Sequence, residues 1–145
     1  MNIRKANPND KDNILEITNL LKLNVPNFVW NKNSYVERQL DKEEYFVGED
    51  EEGKVFGIIS FRKRGEAMYI ETLAIKQEKQ ANGYGAEFIS FAKQYTKNQQ
   101  LNMLRACAFF DYNNKEFYLN NGFNLLRNIG SYNGRKFYRF EMKID

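Results

Sequence analysis

The stretch KQANGYGAEFISFAK, Lys79 to Lys93, decides how this chain is read. Phe88, Ile89, Ala92 and Tyr95 recur at helical spacing and predict an amphipathic helix that faces a sheet. Yet the helix opens on two glycines, Gly83 and Gly85. Glycine inside a helix costs about 1 kcal/mol relative to alanine. At a helix start the backbone N–H groups lack partners and carry partial positive charge, and glycine lets a phosphate come close to them. The same pair also suits a tight strand-to-helix turn that needs glycine only for its dihedral angles. Two phosphate motifs are excluded. No Lys-Ser/Thr pair follows Gly85, as a P-loop requires. Position 88 is Phe and the loop lies mid-chain, which rules out the dinucleotide fingerprint.

Working outward, AMYIETLAI (Ala67 to Ile75) reads as the strand that feeds this loop. EYFVGED and KVFGIISFRK flank the turn DEEG and read as a hairpin before it. Nearer the N-terminus, NIRKA predicts a first strand, and NPND supplies an Asn cap at Asn7 with proline in the first turn. Ile14, Leu15, Ile17, Leu20 and Leu21 form one apolar helical face, ending near Asn24 before Pro26. A second helix is predicted over Ser34 to Leu40, capped by Ser34. Downstream, LNMLRACAF (Leu101 to Phe109) returns as a strand, in which Cys107 reads as buried packing. NNKEFYLNNG (Asn113 to Gly122) is a short helix stopped by glycine. Asn133–Gly134 between alternating segments signals a closing two-residue hairpin. The order βααβββαβαββ predicts one α/β domain over residues 1–145, a mixed central β-sheet flanked by helices on both faces.

Composition narrows the chemistry. Of 145 residues, 42% are hydrophobic and 28% charged, which predicts a folded globule rather than disorder. No apolar run reaches the ~18 residues of a membrane span, and the polar N-terminus lacks a signal-peptide core. One cysteine excludes an internal disulfide and points to a reducing cytoplasm. A formal charge of +3 does not imply nucleic acid, and the Arg62-Lys63-Arg64 turn reads as a solvated tip. Histidine is absent, so no His-based triad or metal site is expected. Any acid or base must be Asp, Glu, Tyr, Lys, Cys or water.

Along Ala67 to Ile75, strand alternation puts Tyr69, Glu71, Leu73 and Ile75 on one face. Glu71 is a carboxylate among apolar neighbours. It reads either as a salt-bridge partner of an arginine or as a partly desolvated general base.

Q-A-N-G-Y-G-A, Gln80 to Ala86, resembles the Q/R-x-x-G-x-G/A motif of the GNAT superfamily of N-acetyltransferases. IETLAI lies upstream where that family has its fourth strand, and EFYLNNGF lies downstream where it commonly shows F-Y-x-x-x-G-F. The resemblance covers essentially the whole chain. It implies transfer of an acetyl group from acetyl-CoA to a primary amine by direct attack in a ternary complex. A domain that binds acetyl-CoA or CoA without turnover is the alternative. The implied pyrophosphate site is Gln80, Ala81, Asn82, Gly83, Tyr84, Gly85 and Ala86. The basic residue frequent in this loop is missing, and Lys76 and Lys79 stand nearby.

The resemblance further implies that Leu73, Ala74 and Ile75 pair with the pantetheine arm through their backbone and orient the thioester. A backbone N–H near Leu73 would stabilise the oxyanion. Asn113 or Asn114 would contact the pantetheine or cap the helix, though the family's Asn–Ala pattern is not cleanly reproduced. Glu71, or Tyr69 on the same face, is the implied base, and Tyr118 the implied acid toward the CoA sulfur. Phe28, Trp30, Tyr69 and Tyr132, with Arg135 at the rim, are the implied acceptor-binding residues. The expected partners are acetyl-CoA and an amine, with no nucleic acid, membrane or metal; a homodimer is compatible with this reading.

Overall fold

Capping sets the N-terminal elements of the computed structural model, which describes residues 1–145. After strand β1 (Asn2–Lys5), the Asn7 side chain accepts from the Asn9 N–H and opens a 3-10 turn at Pro8–Asp10. The Asp10 carboxylate accepts from the Asn7 N–H at 2.8 Å, closing a capping box. Helix α1 (Lys11–Thr18) follows and tightens into a second 3-10 turn, Asn19–Leu21. That turn points Leu20 into solvent, so the expected apolar face keeps Ile14, Ile17 and half-buried Leu15 and Leu21 but loses Leu20. Helix α2 (Asn33–Asp41) begins before Ser34, with Lys32 at the cap position. Ser34 is therefore inside the helix and does not cap it.

Strands β2 (Tyr45–Glu49), β3 (Val55–Arg64) and β4 (Ala67–Ile75) precede helix α3 (Tyr84–Asn98) and strand β5 (Met103–Phe109). Helix α4 (Lys115–Asn120) and strands β6 (Asn124–Leu125), β7 (Gly130–Tyr132) and β8 (Arg135–Lys143) complete the order. β6 is additional to the expected order, because two residues are too few to show alternation. The eight strands make one open mixed sheet, β1-β2-β3-β4-β5-β8-β6, with β7 on β8. β4 and β5 are parallel, as a helical crossover between them demands. Asn133 and Gly134 have φ of 49° and 88°, the left-handed pair of a two-residue hairpin.

The chain divides into two compact units, residues 1–61 with 72–88 and residues 62–71 with 89–145. In the first, Ile14, Ile17, Val36, Tyr45, Val47, Val55, Ile58 and Ala74 form the core. Arg4 ties β1 to Asp10 at 2.8 Å and to Glu49 at 3.1 Å. Phe88, fully buried, sits over Gly48 and Gly57, which face each other as cross-strand partners. A Cβ on Gly57 would stand 2.7 Å from the Phe88 ring, and one on Gly48 2.8 Å. In the second unit, Leu104, Ala106, Phe123 and Phe140 are buried, with Tyr118 stacked on Phe140 at 4.7 Å. Ile89 and Ala92 of α3 are buried as expected, but Tyr95 is half-buried and Thr96 takes the inner place, its hydroxyl donating to the Ala92 carbonyl.

Gly57→Ala is expected to destabilise the fold by about 1–3 kcal/mol through overpacking against Phe88. Phe88→Leu in the same chain should recover part of the loss. Denaturant melts measure both, and an unchanged midpoint for Gly57→Ala would show that the ring does not depend on this seat.

Candidate active site

The loop between β4 and α3 is built by its own side chains. Gln80 Nε2 donates to the Ile75 carbonyl at 2.9 Å, tying the loop to the end of β4. Asn82 Nδ2 donates to the carbonyls of Lys79 and Gln80 at 3.1 and 3.0 Å. Both side chains therefore brace the loop. Tyr84 packs on Phe56 at 4.8 Å, anchoring the first helical residue. Ala81 and Gly83 have φ of 64° and 81°, and a Cβ on Gly83 would meet nothing within 4 Å. The Glu87 N–H donates to the Gly83 carbonyl, the first such bond of α3. The N–H groups of Tyr84, Gly85 and Ala86 thus have no acceptor within the helix. Neither nearby lysine stands open as a counter-charge. Lys76 pairs with Glu16 at 3.5 Å, and Lys79 lies over the Phe56 ring at 5.5 Å.

β4 alternates as expected: Met68, Ile70, Thr72 and Ala74 are buried, while Tyr69, Glu71, Leu73 and Ile75 are half-buried. Its ladder with β5 consists of Met68–Leu104, Tyr69–Arg105 and Ile70–Ala106. Glu71 to Ile75 run on past the last of these pairs. The Glu71 side chain is 8% exposed and accepts from Arg64 Nη2 at 2.5 Å. Tyr69 lies beneath two guanidiniums, Arg64 at 5.0 Å and Arg105 at 5.9 Å from its ring, and its hydroxyl accepts from Arg105 at 3.2 Å. The arginines are the part of this cluster that sequence reasoning left unplaced; only the alternation of LRACAF and RKFYRFEM could have put Arg105 and Arg139 on this face.

Tyr118 belongs to the opposite face. Ile70, Ala106 and Phe140 share one side through the registers of β4, β5 and β8, and Tyr118 stacks on Phe140 there. Phe117 and Phe123 meet the Tyr118 ring edge-on. Burial pushes the Tyr118 phenol well above the ordinary tyrosine value, with a smaller contribution from Cys107. Asn113 is left-handed at φ 49° and closes the turn Phe110–Tyr112. Asn114 occupies the cap position of α4, and its Oδ1 is buried without a hydrogen-bond partner.

Cys107 reaches the surface, contrary to the buried position expected. Its β5 neighbours Ala106 and Ala108 take the inward parity instead. Enough protein surrounds the thiol for burial to push it up; Arg139 and Arg64 oppose that shift and Glu71 adds to it. Phe28, Trp30 and Tyr35 form an aromatic cluster in the first unit, with Phe28 itself buried. Beside it an open groove of about 600 Å³ is lined by Lys22, Asn24, Asn27, Phe28, Asn31 and Lys32, among others. Tyr132, in the second unit, packs on Phe109 at 6.2 Å. Arg135 there pairs with Asp111 at 2.6 Å.

The sequence model of the acetyltransferase (GNAT) domain matches residues 22–144. The chain belongs to the GNAT acetyltransferase family. No curated protein matches it in sequence. Solved GNAT-like structures do match in fold. N-acetylglutamate synthase from Neisseria gonorrhoeae, complexed with coenzyme A and N-acetyl-glutamate, superposes with TM-score 0.81 at 18% identity over 99% of this chain. This chain spans 35% of that protein. Rv2747 from Mycobacterium tuberculosis, in complex with CoA and NLQ, gives 0.84 at 15% identity, covering 100% of both chains. An aminoglycoside 6′-N-acetyltransferase complexed with coenzyme A gives 0.82 at 13%, covering 100% of this chain and 98% of its own. No helix of this GNAT chain is long and apolar enough to cross a membrane.

The raised Tyr118 phenol gives a titration test. An ordinary tyrosine is half ionised near pH 10. Tyr118 is expected to remain a phenol there, so wild type and Tyr118→Phe should gain the same phenolate absorbance up to that pH. A wild-type excess of one tyrosine by pH 10 would show that the hydroxyl is hydrated.

Proposed function

We propose that this GNAT domain moves an acetyl group from acetyl-CoA to a primary amine by direct attack in a ternary complex. The observation that carries the reading is the loop opening α3, where three N–H groups lack helical acceptors beside a glycine with open space around it. Such a helix start suits the CoA pyrophosphate, with backbone N–H groups rather than lysines supplying the positive charge. Acetyl-CoA supplies the acetyl group as an activated thioester. The Asn114 Oδ1, buried and unpartnered, fits an amide N–H of the pantetheine arm. Leu73 to Ile75 lie past the last β5 pair and offer backbone groups to that arm, Leu73 also facing the oxygen that gains charge.

Glu71 takes the proton from the attacking amine. Arg64 yields its place as the ammonium arrives; its side chain is 50% exposed and has room to swing outward. Tyr118 gives a proton or hydrogen bond to the departing sulfur, and its raised pKa keeps it in the neutral phenol form, which can donate. The neighbours solved with CoA support acetyl-CoA as donor. An accessible Cys107 suits a reducing cytoplasm. The ion pair on Glu71 favours a second reading, CoA binding without turnover, which predicts that no amine releases free thiol from acetyl-CoA.

Gly83→Asp puts a carboxylate at the loop and is expected to weaken acetyl-CoA by at least tenfold, about 1.4 kcal/mol. Calorimetry on the folded variant measures it, and unchanged affinity would remove the loop from the site. Glu71→Gln should lose about 10²-fold in kcat near neutral pH and recover as pH approaches the amine's own pKa, where a free amine needs no base. Equal defects at low and high pH would assign Glu71 to acceptor binding instead.

A further inference from the structure

The open face of β4, β5 and β8 in the second unit carries more guanidinium than carboxylate. Arg64 is paired with Glu71 at 2.5 Å and Arg105 with Glu141 at 3.1 Å. Arg139, half-buried on β8, shares this face with Arg64 of β3 and Arg105 of β5, and it makes no ion pair. It stands in register with Cys107 of β5, and the Ile70–Ala106 pair puts Glu71 of β4 on that same face. Arg139, Glu71 and Arg64 are all near enough to the Cys107 thiol to act on it electrostatically. A partly desolvated guanidinium without an anion is costly, and an anionic ligand would relieve it.

The spacing suits a small zwitterion. Neighbouring strands are about 4.8 Å apart, so Ile70 and Phe140, both paired with Ala106 of β5, have Cα atoms about 10 Å apart, and Glu71 and Arg139 are the next residues beside them. Side chains leaning toward each other across that span can hold an ammonium and a carboxylate separated by one carbon. The next row along the face is aromatic: Phe109 pairs with Phe137, and Tyr132 packs on Phe109. A polycation would meet three arginines here, and like charge opposes it.

We propose that the acceptor is a free amino acid with an apolar or aromatic side chain, its amine at Glu71, its carboxylate on Arg139 and its side chain beside Phe109 and Tyr132. This rests on the acetyl-transfer reading above. In the reaction the amine nitrogen bonds the acetyl carbon and the carbon–sulfur bond breaks. The ammonium gives one proton to Glu71 before it attacks; the second, lost from nitrogen as the intermediate collapses, balances the one the sulfur receives from Tyr118 and restores the phenol, giving an N-acetyl amino acid, free CoA and one proton that Glu71 releases to water.

The test compares phenylalanine and leucine with their primary amides, and with spermidine and an aminoglycoside, by thiol release from acetyl-CoA. Each acid should exceed its amide by at least about tenfold in kcat/KM, because the amide leaves the arginine unpaired. Arg139→Gln should raise KM for the acids and bring the acid-to-amide ratio toward one. Arg139→Lys, which keeps the charge, should restore part of the preference and guards against a folding artefact. Acid and amide used equally, or a polyamine preferred, overturns the amino-acid assignment while leaving acetyl transfer intact. No thiol release with any amine, with acetyl-CoA still binding by calorimetry, overturns the transfer reading and this assignment together.

Discussion

The seat of Phe88 on Gly48 and Gly57 fixes where α3 begins, and the loop proposed to hold the pyrophosphate depends on where α3 begins. Two facing strands without side chains let one ring reach the sheet backbone, with no room left for a methyl on either glycine. The ring is fully buried, and filling such a site with phenylalanine rather than alanine is worth about 3–5 kcal/mol. That energy is enough to hold a helix whose first turn carries two glycines. Smaller braces then refine the position: Lys76 N–H to the Phe56 carbonyl at 2.8 Å, Gln80 to the Ile75 carbonyl, and Tyr84 on Phe56. The glycines at 83 and 85 weaken the helix, and packing elsewhere on it offsets the loss.

Much of this was legible from period and punctuation. The bounds of β4 follow from its alternation, the closing hairpin from Asn133–Gly134, and the family from the spacing of the glycine motif to the strand before it and the tyrosine after it. What the sequence could not tell depends on register and on which rotamer a long side chain takes. Glu71 could be seen as a carboxylate among apolar residues, but its pairing with Arg64 rather than with water needs the β3–β4 turn. Lys76 was one of two lysines near the loop, and its contact with Glu16 of α1 spans most of the first unit's sequence. Leu20 and Ser34 failed for a local reason. A helix end that tightens to 3-10, and a helix start shifted by one residue, are below the resolution of capping rules.

The two titratable groups assigned to the chemistry are held by different physics. Tyr118 is surrounded by Phe117, Phe123 and Phe140, and a phenol sealed among rings keeps its proton. Glu71 is also nearly sealed, at 8% exposure, but it faces a row of arginines rather than a ring cluster. The two faces of the sheet thus surround these groups differently, aromatic rings about Tyr118 of α4 and guanidinium about Glu71 of β4. The proposed assignment of acid and base draws on that contrast.

Whether Arg64 obstructs Glu71 is decided by magnitudes. Its guanidinium makes an ion pair and lies over the Tyr69 ring at 5.0 Å, and half its side chain is in water. Removing Arg64 with nothing in its place would leave the nearly buried Glu71 carboxylate unpaired, at a cost of up to about 3–5 kcal/mol. A cation over an exposed ring adds about 0.5–1 kcal/mol. An arriving ammonium replaces the lost pairing with its own, which leaves the ring contact as the main cost. Tyr69 has the more fixed position, its hydroxyl accepting from Arg105 and its ring carrying Arg64. It separates the two guanidiniums. Arg105 stays with Glu141, Arg64 remains a half-exposed partner of Glu71, and the proposed base is held in place in a position from which an arriving ammonium can displace that partner.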